Sequence, residues 1–412
     1  MTDRSQVAVV GAGAAGLMAA LWAARAGVSV LLLEGTEKVG RKILISGGGR
    51  CNILPSVSEL DDFYTSGSRN VLKRLFRTWR LQQLQDFFTW ELDLPLEEEE
   101  ETGKLFPEVQ KAAVVRDKLL DACLEAGAEL RSPFKVESID TQEDGAFRLT
   151  SATGDVVEAE RVILASGGQS VPQTGSDGHG YRIAKTLGHR ILPTYPALVP
   201  LTGPDKDLAE LAGLSLKVGW RAVVDGKVIE ARERELLFTH RGFSGPAVLD
   251  ASHHVVRDKA DILITWEGFQ REEWTDYFKS RVRQSLTKAM DEQLPKRLVR
   301  VLLARAKLRG EMRCGNLDRG TLESLLQQLC DFRLPVSGNR GFQVAEVTGG
   351  GIPLDEMNPS TLESRRTAGM FLCGEILDVI GRIGGFNFQW AWITGRLAGE
   401  SAAASVQAAQ EA

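Results

Sequence analysis

The run Gly11-Ala12-Gly13-Ala14-Ala15-Gly16 follows the apolar stretch Val7-Ala8-Val9-Val10, and a second apolar stretch, Val28 to Leu33, ends in Glu34. A strand, a glycine turn, a helix, a second strand and a terminal acid in this order build a site for an adenine dinucleotide. Gly11 permits the tight turn, Gly13 lets the backbone approach a pyrophosphate, and Gly16 lets the helix lie close to the sheet. The pyrophosphate then rests on the helix N-terminus, at Ala14 and Ala15, where unpaired N–H groups and the macrodipole favour an anion. The Glu34 carboxylate can accept hydrogen bonds from both ribose hydroxyls and would repel a 2′-phosphate.

Two dinucleotides compete for this fingerprint, and the rest of the chain separates them. A nicotinamide dehydrogenase needs no second phosphate-and-sugar site at its far end, whereas the extended FAD molecule does. Such sites are present. Arg41 and Lys42 lead into Ser46-Gly47-Gly48-Gly49-Arg50-Cys51-Asn52, a flexible backbone with polar groups suited to phosphate and ribityl oxygens. Ser166-Gly167-Gly168 ends an apolar strand in a turn that lets backbone approach a ligand, and Val136, in a strand from Phe134 to Ile139, is grouped with it. Gly374, Glu375 and Asp378 close a further strand and can meet the pyrophosphate and ribityl region. Gly385, Asn387 and Phe388 then open an alanine-rich helix whose first N–H groups would face flavin N1 and the C2 carbonyl, favouring the negative charge of reduced flavin. No second GxGxxG follows, so NAD(P)H is expected only as a transient electron donor.

The elements that must position these residues are α/β in character. Helical spacing marks Ala14 to Ala26, residues 68 to 90, Ala112 to Ala126 and Tyr181 to Leu187. Strands are expected at Ala128 to Arg131, Phe134 to Ile139, Phe147 to Ser151, Val156 to Glu160 and Arg161 to Ala165. From about Pro193 the character changes to strands at Gly213 to Val224, Lys227 to Phe238 and Asp261 to Trp266, followed by helices between Glu272 and Phe332. The expected organisation is a discontinuous Rossmann-like FAD-binding domain, 1–192 with 344–412. Inserted in it are a β-rich module, 193–270 with 333–343, and a helical subdomain, 271–332. This insert would form the roof over the substrate.

Composition narrows the class. At 412 residues the chain exceeds one usual core. Hydrophobic content of 43% and charged content of 25% are those of an ordinary globular protein. A net charge of −5 argues against generic nucleic-acid binding, although twelve Lys or Arg face six Asp or Glu between Arg271 and Arg313. No segment is long and apolar enough to span a bilayer, and the glycines and Arg25 break the N-terminal run as a secretory signal. The five cysteines are scattered, odd in number and without a CxxC. That pattern reads as reduced and cytoplasmic, without a metal centre or dithiol pair, so redox chemistry falls to a bound organic cofactor.

The motifs Arg41-Lys-x-x-x-Ser-Gly-Gly-Gly-Arg-Cys-Asn52, Leu237-Phe-Thr-His-x-Gly-x-Ser-Gly-Pro246 and Gly374-Glu-x-x-Asp378 with Gly384-Gly-x-Asn-x-Gln-Trp-Ala-Trp392 resemble the BaiN/RdsA flavoprotein family. That family includes bile-acid enone reductases and aminoacetone oxidases. The resemblance spans the chain in order and implies FAD, a two-dinucleotide-binding-domain flavoprotein fold, an inserted β-barrel-like plus helical module over the flavin and a small organic substrate whose identity it does not fix. It implies hydride transfer at flavin N5, as in an enone reductase, with an oxygen-using amine oxidase as one alternative; the basic excess between Arg271 and Arg313 offers a flavin-dependent RNA-modifying protein as another. A reductase needs a proton donor, and His240 with Arg241 in the Phe238-Thr-His-Arg-Gly-Phe-Ser-Gly loop is the best placed, unless His240 only packs the turn that follows. Arg382 stands where the family often has a Gly-Tyr-Thr-like run. It would either put a fixed cation near the flavin or pair with a surface acid.

Overall fold

A computed structural model describes residues 3–203, 206–266 and 269–411. They group into two compact units, Met1–Tyr195 with Glu346–Ala412, and Pro196–Ala345.

The first unit is built on a parallel sheet with strands in the order Glu129–Arg131, Val30–Leu33, Asp3–Val10, Val156–Leu164. Val7, Ala8 and Val9 are fully buried, as strands covered on both faces require. Residues 156–164 form a single strand rather than the expected two pieces. Its first half pairs antiparallel with Phe147–Ser151, and its second half pairs parallel with Met370–Leu372. The Met370–Leu372 strand thus returns the C-terminal segment to the sheet begun by the N-terminus. Because the chain crosses to opposite sides of Asp3–Val10, the carboxyl end of that strand is a topological switch point, where open α/β sheets bind ligands.

Two helices cover the sheet beside this point, Ala14–Arg25 and the long C-terminal Phe386–Glu411. They meet along small residues. A β-carbon added at Gly395 would lie 2.4 Å from the Ala15 carbonyl oxygen, and one at Gly399 would lie 2.3 Å from that of Ala19.

The amphipathic stretch 68–90 is not one helix. It breaks at Trp79, giving Arg69–Thr78, Leu81–Asp86 and a wide turn Phe87–Glu91. The break inserts Trp79 into an aromatic group, with its ring 5.8 Å from Trp22 and 5.2 Å from Phe87. That packing outweighs helical continuity.

His189 has a fully buried side chain whose Nδ1 lies 2.8 Å from Glu356 Oε2 and whose Nε2 lies 3.0 Å from Ser364 Oγ. Burial pushes the His189 imidazole below its usual range, despite the opposing pull of Glu356. Glu356 is also held low: burial alone would raise it, but bonds from His189, the Arg190 N–H and Arg366 outweigh that. Both groups bind fewer protons folded than unfolded, so their stability is complete above the ordinary histidine range and falls as pH drops through that range toward the carboxylate range. Thermal unfolding is therefore expected at a lower temperature at pH 5 than at pH 7.5, and Glu356→Gln, which removes the carboxylate that favours the His189 proton, should enlarge the difference.

The second unit carries seven antiparallel strands in the order Phe332–Arg333, Asp261–Trp266, Ser215–Val224, Lys227–Thr239, Gly242–Ser244, Leu201–Thr202, Gly338–Asn339. The helices Arg271–Lys279, Leu286–Asp291, Lys296–Arg305 and Arg319–Cys330 share one hydrophobic core with the sheet, with Trp220, Phe238 and Trp266 meeting Trp274, Leu298 and Leu325 in it. Among the basic residues of this stretch, Arg297 and Arg300 are exposed. Arg305 instead lies over the Phe332 ring at 5.3 Å.

Candidate functional site

Four strand ends of the first unit meet at the switch point: Glu34 after Val30–Leu33, Gly11 after Asp3–Val10, Ala165 after Val156–Leu164, and Cys373 after Met370–Leu372. Backbone bonds tie them into one surface, from Gly11 N to Leu33 O at 2.8 Å, Ala165 N to Val10 O at 2.9 Å and Cys373 N to Leu164 O at 3.3 Å.

The three fingerprint glycines do different work. Gly11 has φ +102°, and a β-carbon there would meet Ala165 O at 2.7 Å. At Gly16 a β-carbon would lie 1.7 Å from Gly11 O, so only glycine lets the helix start this close to the strand. Gly13 is unlike both, because it is extended, at φ −81° and ψ −169°, and an added β-carbon would have nothing within 4 Å. Protein contacts therefore do not require glycine at 13, and the backbone there is open to a ligand. Ala14 and Ala15 form the first turn of the helix, whose N–H groups have no intrahelical acceptor.

Glu34 is fixed by its own turn. Oε2 accepts from Ala12 N at 3.0 Å, and Oε1 accepts from Thr36 N and Thr36 Oγ1, each at 2.8 Å. Oε2 keeps a lone pair that a ribose hydroxyl can use. Beyond the second strand end, Ser166 Oγ is buried with no hydrogen-bond partner among the described residues, an orphaned donor suited to a ligand oxygen. Gly167 and Gly168 continue that turn, and Val136 is buried in the core of the neighbouring strand. An open backbone cradle, a helix N-terminus, an oriented carboxylate and an orphaned hydroxyl together fit the ADP half of FAD.

Other site candidates are engaged with one another. Lys42 Nζ donates to Glu375 Oε2 at 2.6 Å and to Ser170 Oγ, while Glu375 Oε1 accepts from Ser170 Oγ and Thr348 N, each at 2.9 Å. Asp378 accepts from Ser66 N at 3.0 Å and from Ser66 Oγ. Gly374 is held from the C-terminal helix, where Thr394 Oγ1 accepts its N–H at 3.0 Å and Trp390 Nε1 donates to its carbonyl at 3.0 Å. Asn387 clamps the preceding loop, accepting from Gly381 N at 2.8 Å and donating to Gly381 O at 2.9 Å. Asn52, with its amide oriented to satisfy both atoms, accepts from Gly385 N at 3.0 Å and donates to Leu54 O at 3.1 Å. Phe388 stacks on Trp392 with ring centroids 5.3 Å apart. These residues shape the loops around the site. Trp390, within the Gly384–Trp392 motif, belongs to the same framework, as do Ser66, Ser170, Thr348 and Thr394, which were not among the expected site residues; the Thr348-Gly-Gly-Gly run is a visible signal for one of them.

The Arg41–Ile45 helix precedes the triple-glycine turn, where Ser46 Oγ donates to Ile43 O at 2.7 Å and Gly47 and Gly48 are exposed with left-handed backbones. Cys51 beside it is buried, which pushes its thiol up to about 12. All five cysteines are free and buried, so a thiol reagent at pH 8 should label the native protein far more slowly than the unfolded chain.

Arg382 pairs with an acid of a neighbouring loop. Its Nε lies 3.3 Å from Asp62 Oδ1, its Nη2 donates to Asp61 O at 3.3 Å, and its side chain is 9% exposed. A cation neutralised in this way ties two loops together. His240 and Arg241 lie in the second unit, exposed on the turn between Lys227–Thr239 and Gly242–Ser244. The alternative in which His240 packs the following turn is not what is found: Thr239 Oγ1 bonds Gly242 O at 3.1 Å, and the His240 side chain is exposed. Among the described residues no helix is long and apolar enough to cross a membrane.

Residues 5–401 match the family described as the HI0933-like protein Rossmann domain. The chain is 34% identical over 400 residues to a ribosomal RNA dihydrouridine synthase of Escherichia coli (strain K12), covering 95% of this chain and 96% of that one. It is 31% identical over 420 residues to the 3-dehydro-bile acid delta(4,6)-reductase of Clostridium scindens, covering 97% and 99%. Among solved structures it is similar to 3-ketosteroid delta1-dehydrogenase from Sterolibacterium denitrificans in complex with 1,4-androstadiene-3,17-dione, with a TM-score of 0.53, 13% identity and coverage of 98% of this chain and 100% of that one. It is also similar to a quinol-fumarate reductase with menaquinol molecules, at TM-score 0.53, 15% identity and coverage of 99% and 72%. At these identities the structural likeness is one of fold.

Proposed function

This chain belongs to the HI0933-like Rossmann family, which comprises FAD-dependent oxidoreductases, and we propose that it is an enzyme reducing a carbon–carbon double bond conjugated to a carbonyl. The observation that carries this reading is the chemistry common to two differently named relatives, each aligned over nearly its whole length. A delta(4,6)-reduction beside a 3-ketone and the conversion of uridine to dihydrouridine both saturate an alkene conjugated to a carbonyl. Such a reduction adds hydride at the β-carbon and a proton at the α-carbon. FAD, when bound, supplies hydride chemistry at its N5.

The residues of this chain have the remaining tasks. Glu34 orients the adenosine ribose, the Gly11 to Gly16 turn offers backbone N–H groups to the pyrophosphate, and Ser166 Oγ donates to a cofactor oxygen. Lys42, Glu375 and Asp378 hold the loops that carry Gly374 and Gly385. His240, with Arg241 beside it, is our candidate proton donor to the α-carbon, and NADH or NADPH is our candidate electron source. Because Arg382 is paired with Asp62, we give it a role in holding the loop rather than in proton transfer.

The test is anaerobic. The flavin of the holoprotein should bleach with NADH or NADPH and recover its colour on addition of a 3-keto-4-ene steroid or a uridine-containing ribosomal RNA fragment. Recovery with the RNA alone, weakened by salt and by neutralising Arg297 and Arg300, selects the nucleic-acid branch. Bleaching by an amine, with no recovery from either alkene, would replace the reductase with an amine oxidase.

A further inference from the structure

In the second unit Glu230, His253 and His254 bring one ligand atom each to within 4.8 Å of one another. Glu230 is carried by the strand Lys227–Thr239, and both histidines by the helix Pro246–Asp258. Both histidines are buried, at 9% and 6% exposure, with ring centroids 3.9 Å apart. We propose that these three residues form a binding site for a divalent zinc ion, a cation suited to two imidazoles and a carboxylate with a water as fourth ligand.

The surrounding bonds present the ligand atoms in the required form. His253 Nδ1 lies 2.8 Å from the Asp250 carbonyl oxygen, so Nδ1 carries the proton and Nε2 the lone pair. His254 Nδ1 lies 3.0 Å from Asp258 Oδ2, which directs Nε2 toward Glu230 Oε2 at 2.6 Å. A carboxylate behind the ligating imidazole is the usual support of a zinc histidine. Glu230 Oε1 accepts from Arg232 Nε at 3.0 Å, so Oε2, which faces His254 Nε2, is the atom it would offer a metal. Zinc would replace the proton shared between His254 and Glu230, and small side-chain rotations would bring the atoms to the ligand separation of about 3.3 Å set by bonds of about 2.0–2.1 Å. Arg232 beside Glu230 and Arg257 beside Asp258 are the opposing charges, so the affinity is that of an exchangeable ion. The strand bearing Glu230 enters the His240–Arg241 turn, and the helix bearing the histidines leaves it. Zinc would thereby fasten both arms of the segment that presents those two side chains.

The test uses full-length holoprotein stripped with a chelator, then titrated with zinc chloride against a chelating indicator, with cobalt(II) as the optical probe. The expected result is stoichiometric zinc, a four-coordinate cobalt spectrum and a rise in the unfolding midpoint. Affinity should drop at least about tenfold in Glu230→Gln and His253→Gln, and by about 10–100-fold in Asp258→Asn, which removes no ligand. The flavin spectrum and the metal-free unfolding midpoint show which variants are folded. Absence of zinc from the wild-type protein, or binding undiminished in all folded variants, would overturn the proposal.

Discussion

Gly13→Asp is expected to yield a folded protein that no longer retains FAD. The backbone at Gly13 is extended, and an added β-carbon meets no protein atom within 4 Å, so the apo protein should accept the side chain without strain. The new carboxylate would stand where the pyrophosphate is expected. Two like charges about 4 Å apart repel by about 4 kcal/mol near a protein surface, which is about a thousandfold in affinity. Titration with FAD should show that loss, while the apo variant unfolds within a few degrees of the apo wild type. Equal FAD affinity in the two proteins would remove the pyrophosphate from this turn.

Gly399→Val is expected to act on the fold itself. Its β-carbon would approach the Ala19 carbonyl oxygen to 2.3 Å, and neither helix backbone can yield without parting the pair. Overpacking at such a contact costs about 3 kcal/mol. Ala404→Val, on the exposed side of the same helix, should cost about 0.5 kcal/mol. Denaturant midpoints compare the two directly. Because the same helix holds Gly374 through Thr394 and Trp390, Gly399→Val should also weaken FAD retention in whatever protein remains folded.

The parts of the site that were legible in the sequence are those imposed by local backbone geometry. Gly11, Gly16 and Glu34 could be read because a tight strand-to-helix turn and a strand-terminal acid need those residue types at that spacing, and the Met370–Leu372 strand was visible as an apolar run ending in Gly374. What could not be read depends on partners far along the chain. Arg382 meets Asp62, and His189 meets Glu356, only after the fold brings distant segments together. Trp79 breaks a regular helical pattern because Trp22 and Phe87 wait beside it. Asn387 and Asp378 were legible as polar residues in glycine-rich loops, but their bonds to Gly381 and Ser66 were not, since loop clamps and ligand contacts draw on the same side chains. Spacing alone does not tell a bond to Gly381 or Ser66 from a bond to a ribityl oxygen.

The central claim is that the four strand ends around Gly11 hold FAD, and the most direct measurement is the flavin content of the folded chain. Reconstituted with excess FAD and freed of unbound cofactor, wild-type protein should carry FAD stoichiometric with the chain, released intact on denaturation. A cooperatively folded wild-type chain that takes up no FAD at saturating concentration would contradict the account.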